Sequence, residues 1–279
     1  MPKQQRRLGL PRRKDRNYDR QLVDLAGTSI VCDELPLVHI TAVFPGKEVM
    51  RTGTLEVRPC PVFKDDLLYF FVLRPAYCLA HGNEPSDQLS RFPVVFVLRK
   101  EAVPDPRHVY PFDTGGAAGG AFDKQADPWV PLEDYGLESS HAAVAKFISW
   151  AFGDVESYYE GRLREGLHEE VHGKRLVAKG YYDIARMGVE GSNVHDKRAS
   201  AIEVAASHNV PLVGNVRLII FPKQLLEDYE ELHEKLDELK ALGAKLETYD
   251  WQPNRSPNEF QKDIIRICRD WYSGEGILN

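Results

Sequence analysis

The stretch SAIEVAASHNVPLVGNVRLIIFP, residues 200–222, decides the fold class of this chain. It predicts a strand over 201–206, a turn, and a second strand over 211–221, because apolar residues dominate both runs. Glu203 interrupts the first of these strands. An ionised carboxylate is costly to bury, so its position in an otherwise apolar strand makes Glu203 the first candidate for a functional residue.

The first half of the chain contains further short apolar runs separated by Pro and Gly. They predict strands over 35–44, 67–73 and 92–98. A single helix is predicted over 142–163, where apolar residues recur at helical spacing. Because short strands are followed by helices without βαβ alternation, the sequence predicts the α+β class.

The last part of the chain, 223–279, is predicted to be helical. A stripe of leucines leads to Gly243, a residue suited to end a helix. The next predicted helix starts at Ser256, with Pro257 in its first turn and Glu259 completing a capping box.

The composition of the 279 residues is that of an ordinary globular protein with a net charge of −6. No apolar run approaches the roughly 20 residues of a membrane helix, and the basic N-terminus lacks the apolar stretch of a signal peptide, so a cytoplasmic location is expected. The four cysteines are far apart and form no CxxC pair, which favours reduced thiols; they are Cys32, Cys60, Cys78 and Cys268.

Charge is distributed unevenly along the chain. Residues 1–16 carry seven Lys or Arg and one Asp, whereas the rest carries 29 basic and 41 acidic residues. Such an arm, over residues 1–20, either contacts nucleic acid phosphates or is a solvated tail. The acidic body argues against a broad surface for nucleic acid.

A literal H-E-x-x-H match occurs at 168–172. On a helix it places His168 and His172 one turn apart, where both would bind zinc with Glu169 as the general base. Glu190 is a candidate third ligand. Glycines flank the motif, so a polar surface segment is the alternative.

The glycine-rich stretch YPFDTGGAAGGAFD, 110–123, contains the triplet DTG. An aspartic protease needs two such aspartates, and the sequence holds one triplet. The stretch matches neither a phosphate-binding P-loop nor a dinucleotide-binding turn. It is interpreted as a surface loop, with a mobile lid over a ligand as the alternative.

Three polar residues of complementary type stand within or directly after predicted strands. They are His39 in LVHIT, Arg74 after LYFFVL, and Glu203 in SAIEVA. One buried polar residue is usually a satisfied core group. Three of them favour a site, although the core interpretation stays open.

The order of these motifs resembles the ADP-ribosyltransferase fold, and within it the DarT-type toxins that modify nucleic acid bases. The similar elements are HIT at 39–41, a strand running into RPAY at 74–77, and DKRASAIEVAASHNVPL at 196–212, with Asp196 and Arg198 ahead of Glu203. The resemblance spans roughly 36–222. It implies a split β-sandwich core over 21–222 with flanking helices, followed by the helical part 223–279, which packs on the core.

The resemblance also implies roles for individual residues. Glu203 would stabilise the cationic transition state at the ribose of NAD, and Arg74 would bind the diphosphate or polarise the reacting site. The NAD-binding residues would be His39, Thr41, Tyr69 and Tyr77. His195 and Arg198 would approach a phosphate or base of the target.

One departure from the family bears on the target. Many transferases that modify arginine carry a second acid two residues before the catalytic glutamate, and here that position is Ala201. This departure disfavours an arginine target and leaves a base, another side chain or water as the acceptor. The resemblance implies an NAD-dependent transferase acting on DNA or RNA, without a metal, as a toxin or defence effector with a possible antitoxin partner. Two alternatives stay open: a zinc hydrolase using His168, Glu169 and His172, and a non-catalytic NAD sensor.

Overall fold

The computed structural model describes residues 21–25, 34–76, 78, 82–172, 176–189 and 196–279, and the predicted basic arm lies outside these ranges. The strands are β1 (Leu37–Ala42), β2 (Thr54–Leu55), β3 (Arg58–Pro59), β4 (Asp66–Val72), β5 (Pro93–Leu98), β6 (His108–Tyr110), β7 (Glu203–Ala206), β8 (Val210–Pro211), β9 (Val216–Pro222) and β10 (Lys245–Tyr249). The α-helices are α1 (Gln21–Leu25), α2 (Val43–Thr52), α3 (Thr114–Ala118), α4 (His141–Phe152), α5 (Val155–Glu160), α6 (Leu167–Val171), α7 (Leu176–Ala185), α8 (Gln224–Asp228), α9 (Glu231–Ala241) and α10 (Gln261–Gly274). The predicted α+β class is confirmed.

The chain divides into two compact units that alternate along the sequence. The first unit contains α1, Pro59–Asp65 and Asp105–Ala205; the second contains Glu34–Arg58, Asp66–Pro104 and Ala206–Asn279. The division into a core ending at residue 222 and a C-terminal part stays a prediction.

The second unit is built on a mixed sheet. Its strands follow the order β10, β9, β5, β1, β4, with β9 and β10 parallel and the other neighbours antiparallel. Every residue of β5 is buried, which is why this strand is a continuous apolar run rather than an alternating one. The three strands predicted in the first half of the chain are thus confirmed, within two residues at each end.

The first unit pairs β6 with β7 in antiparallel register, and its other described regular elements are mainly helices. Its core is rich in aromatic side chains packed edge to face, which is the favoured geometry for such rings. The buried rings in contact include Phe112, Phe122, Tyr135, Phe147, Phe152, Tyr158 and Tyr181.

The helix predicted over 142–163 is wrong in one respect, because the structure has two helices there, α4 and α5. The break falls at Gly153, whose φ of 88° lies outside the helical region and is readily adopted only by glycine. Asp154 then starts α5 by accepting a hydrogen bond from the backbone N–H of Ser157 at 2.7 Å.

The C-terminal part contains the predicted helices and one strand that the sequence did not indicate. The capping box of Ser256 and Glu259 is confirmed. β10 is half-exposed and pairs in parallel with β9 after the crossover through α8 and α9, so the expected absence of βαβ alternation is wrong at this place. None of the helices in the described ranges is long and apolar enough to cross a membrane.

Candidate active site

Glu203 is the first residue of β7, and its side chain is built into the first unit with 3 % of its surface exposed. Tyr110 of β6 lies directly opposite it in the antiparallel pair. The residue before it, Ile202, donates its backbone N–H to the hydroxyl of the buried Tyr158 at 3.0 Å. These contacts fix the backbone position from which the Glu203 carboxylate enters the apolar interior.

Both oxygens of the Glu203 carboxylate receive a hydrogen bond from Thr114. The Thr114 hydroxyl donates to Oε1 at 2.6 Å, and the Thr114 backbone N–H donates to Oε2 at 3.3 Å. Thr114 opens α3, which Asp113 caps by accepting from the backbone N–H of Gly116 at 3.0 Å. A buried carboxylate bound in this way has both a fixed plane and a fixed direction.

Burial raises the pKa of Glu203 well above its ordinary value of 4.5. The negative charge of Asp113 and the Cys60 thiol act in the same direction, whereas the two hydrogen bonds from Thr114 favour the ionised form and lower the pKa. Burial also raises the pKa of Asp113, against the opposing hydrogen bond from Gly116 and the charge of Arg198. Both carboxyl groups therefore release their protons at a higher pH than they would in water.

Arg198 uses its guanidinium within this cluster. Nε and Nη2 donate to Asp196 at 2.9 and 2.6 Å, and Nη1 donates to Asp113 at 3.3 Å. The Arg198 side chain is about one-fifth exposed, and its guanidinium links the carboxylates of Asp196 and Asp113. Its contact with a target stays a prediction. His195 and Tyr77, two further predicted site residues, lie outside the described residues.

The second unit contains the other predicted site residues. His39 is half-buried on β1, and its Nδ1 lies 2.9 Å from the backbone oxygen of Tyr69. A carbonyl oxygen only accepts, so Nδ1 carries the proton. Burial lowers the pKa of His39, the positive charge of Arg58 adds to this, and the Tyr69 carbonyl opposes it. His39 is therefore a neutral imidazole with an acceptor at Nε2. Thr41 is half-buried two residues further along the same strand.

Arg74 lies just beyond β4 and is 3 % exposed. The preceding Leu73 has a φ of 58°, a left-handed conformation that is strained for a bulky residue. α10 supports this turn: the Tyr272 hydroxyl donates to the Leu73 carbonyl at 2.7 Å, and Gln261 Nε2 donates to the Pro75 carbonyl at 3.3 Å. The C-terminal helix thus holds the segment that carries Arg74.

Tyr272→Phe is expected to lower the free energy of unfolding by about 1–3 kcal/mol, because the buried Leu73 carbonyl loses a hydrogen-bond donor. Urea unfolding of the variant and of the wild-type protein measures this loss. Tyr229→Phe is the matched control, because this substitution also removes one hydroxyl but keeps the aromatic ring that packs beneath the ammonium group of Lys47. Equal stability of the two variants would contradict the supporting role of Tyr272.

The H-E-x-x-H pattern begins on the short helix α6 and ends one residue beyond it, at His172, whose backbone is extended. The rings of His168 and His172 are 5.1 Å apart, and both residues are exposed. Glu169 is also exposed, and Glu170 accepts from Trp150 Nε1 at 2.8 Å and pairs with Arg164. Glu190, the candidate third ligand, is not among the described residues. Within the described residues, no group of three His, Cys, Asp or Glu side chains is placed to hold a metal ion.

Asp113 and Thr114 were not predicted from the sequence as parts of this site. Their glycine-rich stretch was interpreted as a surface loop, and this is wrong for Tyr110, Asp113 and Thr114, which are buried. One local signal was present, since Asp followed by Thr-Gly-Gly fits a helix N-cap. The hydrogen bonds from Thr114 to Glu203 join residues 89 positions apart, and no sequence spacing indicates them.

Neither a protein-family profile nor a curated protein sequence matches the chain. Two solved structures similar to it belong to one class of protein, DarT. They are the Thermus sp. 2.9 DarT in complex with NAD⁺, with 12 % identity, a TM-score of 0.36 and coverage of 77 % of this chain and 94 % of that one, and the same protein in complex with carba-NAD⁺, with 12 % identity, a TM-score of 0.33 and coverage of 76 % and 94 %.

Proposed function

We propose that this protein is an NAD-dependent ADP-ribosyltransferase that modifies a nucleic acid base in DNA or RNA. The observation that carries the proposal is the Glu203 carboxylate, which is buried on a strand and bound through both oxygens by Thr114. A group this costly to bury is retained where its charge is needed.

A buried carboxylate of this kind would stabilise the charge that develops when the bond between ribose and nicotinamide in NAD breaks. When the bond between the ribose carbon and the nicotinamide nitrogen breaks, its electron pair leaves with nicotinamide and positive charge develops on the ribose. A fixed carboxylate beside that carbon stabilises the transition state more than the ground state. The positive charge of the bound nicotinamide ring also favours the ionised form of Glu203, against the effect of burial. A nitrogen or oxygen of the acceptor then forms the new bond to the ribose carbon and loses its proton.

The resemblance of the motifs to DarT-type enzymes suggests which residues would contact NAD. The acceptor nitrogen Nε2 of His39 suits a ribose hydroxyl, and the Thr41 hydroxyl follows it on the same strand. Tyr69 and Tyr77 are aromatic partners for the nicotinamide ring. Arg74 has the charge and planar geometry that a diphosphate prefers, and its strained turn is the kind of backbone found at functional sites.

The acceptor proposal rests on Ala201, which stands where many arginine-modifying transferases have a second acid. Nucleic acid is therefore favoured over a protein arginine as the target, with His195 and Arg198 near its phosphate or base. A role as a toxin or defence effector, with an antitoxin partner, follows from the same resemblance. The expected cytoplasmic location stays a prediction.

Incubation with NAD labelled on the adenylate and with separate acceptors tests this function. We expect nicotinamide release that increases with one nucleic acid, and transfer of the label to that acceptor. Single-stranded DNA, duplex DNA, RNA and a protein lysate are compared in parallel. Binding of NAD without turnover in any arm would favour the NAD sensor, and label on protein alone would overturn the nucleic acid target.

A further inference from the structure

The turn that leads from β6 into α3 forms hydrogen bonds with Glu203 and with the segment that precedes β7. Thr114 binds the carboxylate directly, as described above. The backbone N–H of Asp113 donates to the carbonyl of Arg198 at 3.2 Å, and the Arg198 guanidinium donates to the Asp113 carboxylate at 3.3 Å. Arg198 belongs to the 3₁₀ turn Lys197–Ser200, which immediately precedes β7.

This arrangement brings a second carboxylate into the neighbourhood of Glu203 from a distant part of the sequence. Position 201, two residues before Glu203, is a buried alanine. Asp113 is 8 % exposed, and its negative charge acts on Glu203. Among the described residues of the first unit, Cys60 also acts electrostatically on Glu203, and Tyr110 lies opposite Glu203 in the strand pair.

We propose that Thr114 is a positioning residue that sets the direction and the protonation of the Glu203 carboxylate. Two contacts that Asp113→Asn keeps would hold Thr114 in place: the cap that Asp113 provides to α3 and the backbone hydrogen bond from Asp113 to Arg198. The inference deepens the proposed function and rests on it for its catalytic consequence. A glutamate side chain has three rotatable bonds, so a strand alone does not fix its carboxylate plane. Two donors from one residue, one to each oxygen, do so.

The two residues act on the proton of Glu203 in opposite directions. The Thr114 hydroxyl binds the ionised form and so lowers the pKa of Glu203, whereas the negative charge of Asp113 raises it. Removing the hydroxyl and removing the charge must therefore move the titration of Glu203 in opposite senses. General damage to the fold does not produce such a pair of shifts.

The test uses Thr114→Val, Thr114→Ser and Asp113→Asn in the full chain. The titration of Glu203 is measured without NAD, by ¹³C NMR of glutamate carboxyl carbons, with the Glu203 signal assigned from its absence in Glu203→Gln. We expect its midpoint to move to higher pH in Thr114→Val, to stay near the wild-type value in Thr114→Ser, and to move to lower pH in Asp113→Asn. Thr52→Val is the matched control, because Thr52 is an exposed threonine at the end of α2.

Nicotinamide release from NAD is measured on the same variants across pH. Thr114→Val is expected to lose about 10- to 100-fold in rate, the equivalent of one hydrogen bond to a charged group, and Thr114→Ser is expected to restore most of it.

Unchanged titration midpoints, or shifts of equal sign in Thr114→Val and Asp113→Asn, would overturn the positioning role. If the wild-type protein releases no nicotinamide while the midpoints move as expected, the transferase function is overturned and the positioning of Glu203 is supported. Should Thr114→Val not fold, Thr114→Ala also removes the hydroxyl and takes its place, and the same opposite shifts of Thr114→Ala and Asp113→Asn are required.

Discussion

Replacing Glu203 with glutamine is expected to reduce the rate of nicotinamide release from NAD by about 10²- to 10³-fold, the loss typical of removing one electrostatic group aimed at a transition state. Glutamine has nearly the same shape, and its amide oxygen still accepts from Thr114. The negative charge is lost, so the developing positive charge on the ribose is no longer stabilised. Release of nicotinamide, followed by chromatography at saturating NAD, measures the change.

The matched control for this prediction is Glu138→Gln, which removes an exposed carboxylate from the same unit. It is expected to keep the wild-type rate. An NAD-binding assay is run beside it, because the proposed role of Glu203 lies in the transition state and not in ground-state binding. If Glu203→Gln binds NAD and retains full turnover, then the negative charge of Glu203 does not stabilise the transition state and the proposed mechanism fails.

The same substitution is expected to stabilise the protein, and increasingly so as the pH rises. Burial raises the pKa of Glu203 above its ordinary value of 4.5, so the folded protein still holds this proton at pH values where the unfolded chain has released it. Proton binding by the folded state then makes the wild type less stable as the pH rises from about 4.5 through the folded-state pKa. Glutamine does not titrate, so the Glu203→Gln variant gains stability relative to the wild type by up to about 1.4 kcal/mol per pH unit across that window.

Melting temperatures of both proteins, measured in steps from pH 4.5 to pH 8, test this expectation. For a chain of this size, about 1 kcal/mol corresponds to roughly 2–4 °C. The difference between variant and wild type should be smallest at the acidic end and should grow with pH. A constant difference, or one that shrinks with rising pH, would show that Glu203 ionises freely in the folded protein. A gain in stability with a loss of activity is the expected pattern for a functional carboxylate held in an apolar interior.

Several local features could be predicted from the sequence because they depend on neighbouring residues. The strands β1, β4 and β5 follow from apolar runs, and the capping box of Ser256 and Glu259 follows from a four-residue pattern. Glu203 was found by the contrast between its charge and its surroundings. The resemblance of the motifs to DarT-type enzymes depends on the same short segments and on their order.

Other features depended on energies that a local pattern does not reveal. The helix over 142–163 is interrupted where Gly153 leaves the helical region, although the apolar spacing continues past it. β10 is half-exposed and short, and it is a strand because β9 offers it a parallel partner. The hydrogen bonds of the Arg198 guanidinium to Asp196 and Asp113 were not indicated by the sequence either, and its contact with a target stays a prediction.

By itself, the sequence determined the α+β class and the burial of a carboxylate at Glu203, since periodicity and side-chain polarity act over a few neighbouring residues. The tertiary structure alone decided that Thr114 donates to both oxygens of that carboxylate and that Asp113 adds a second negative charge beside it. These partners come from a turn 89 residues earlier in the chain. The pairing exists only once β6 and β7 lie side by side and exclude water, because hydrogen bonds and charges gain their strength in that low-dielectric interior.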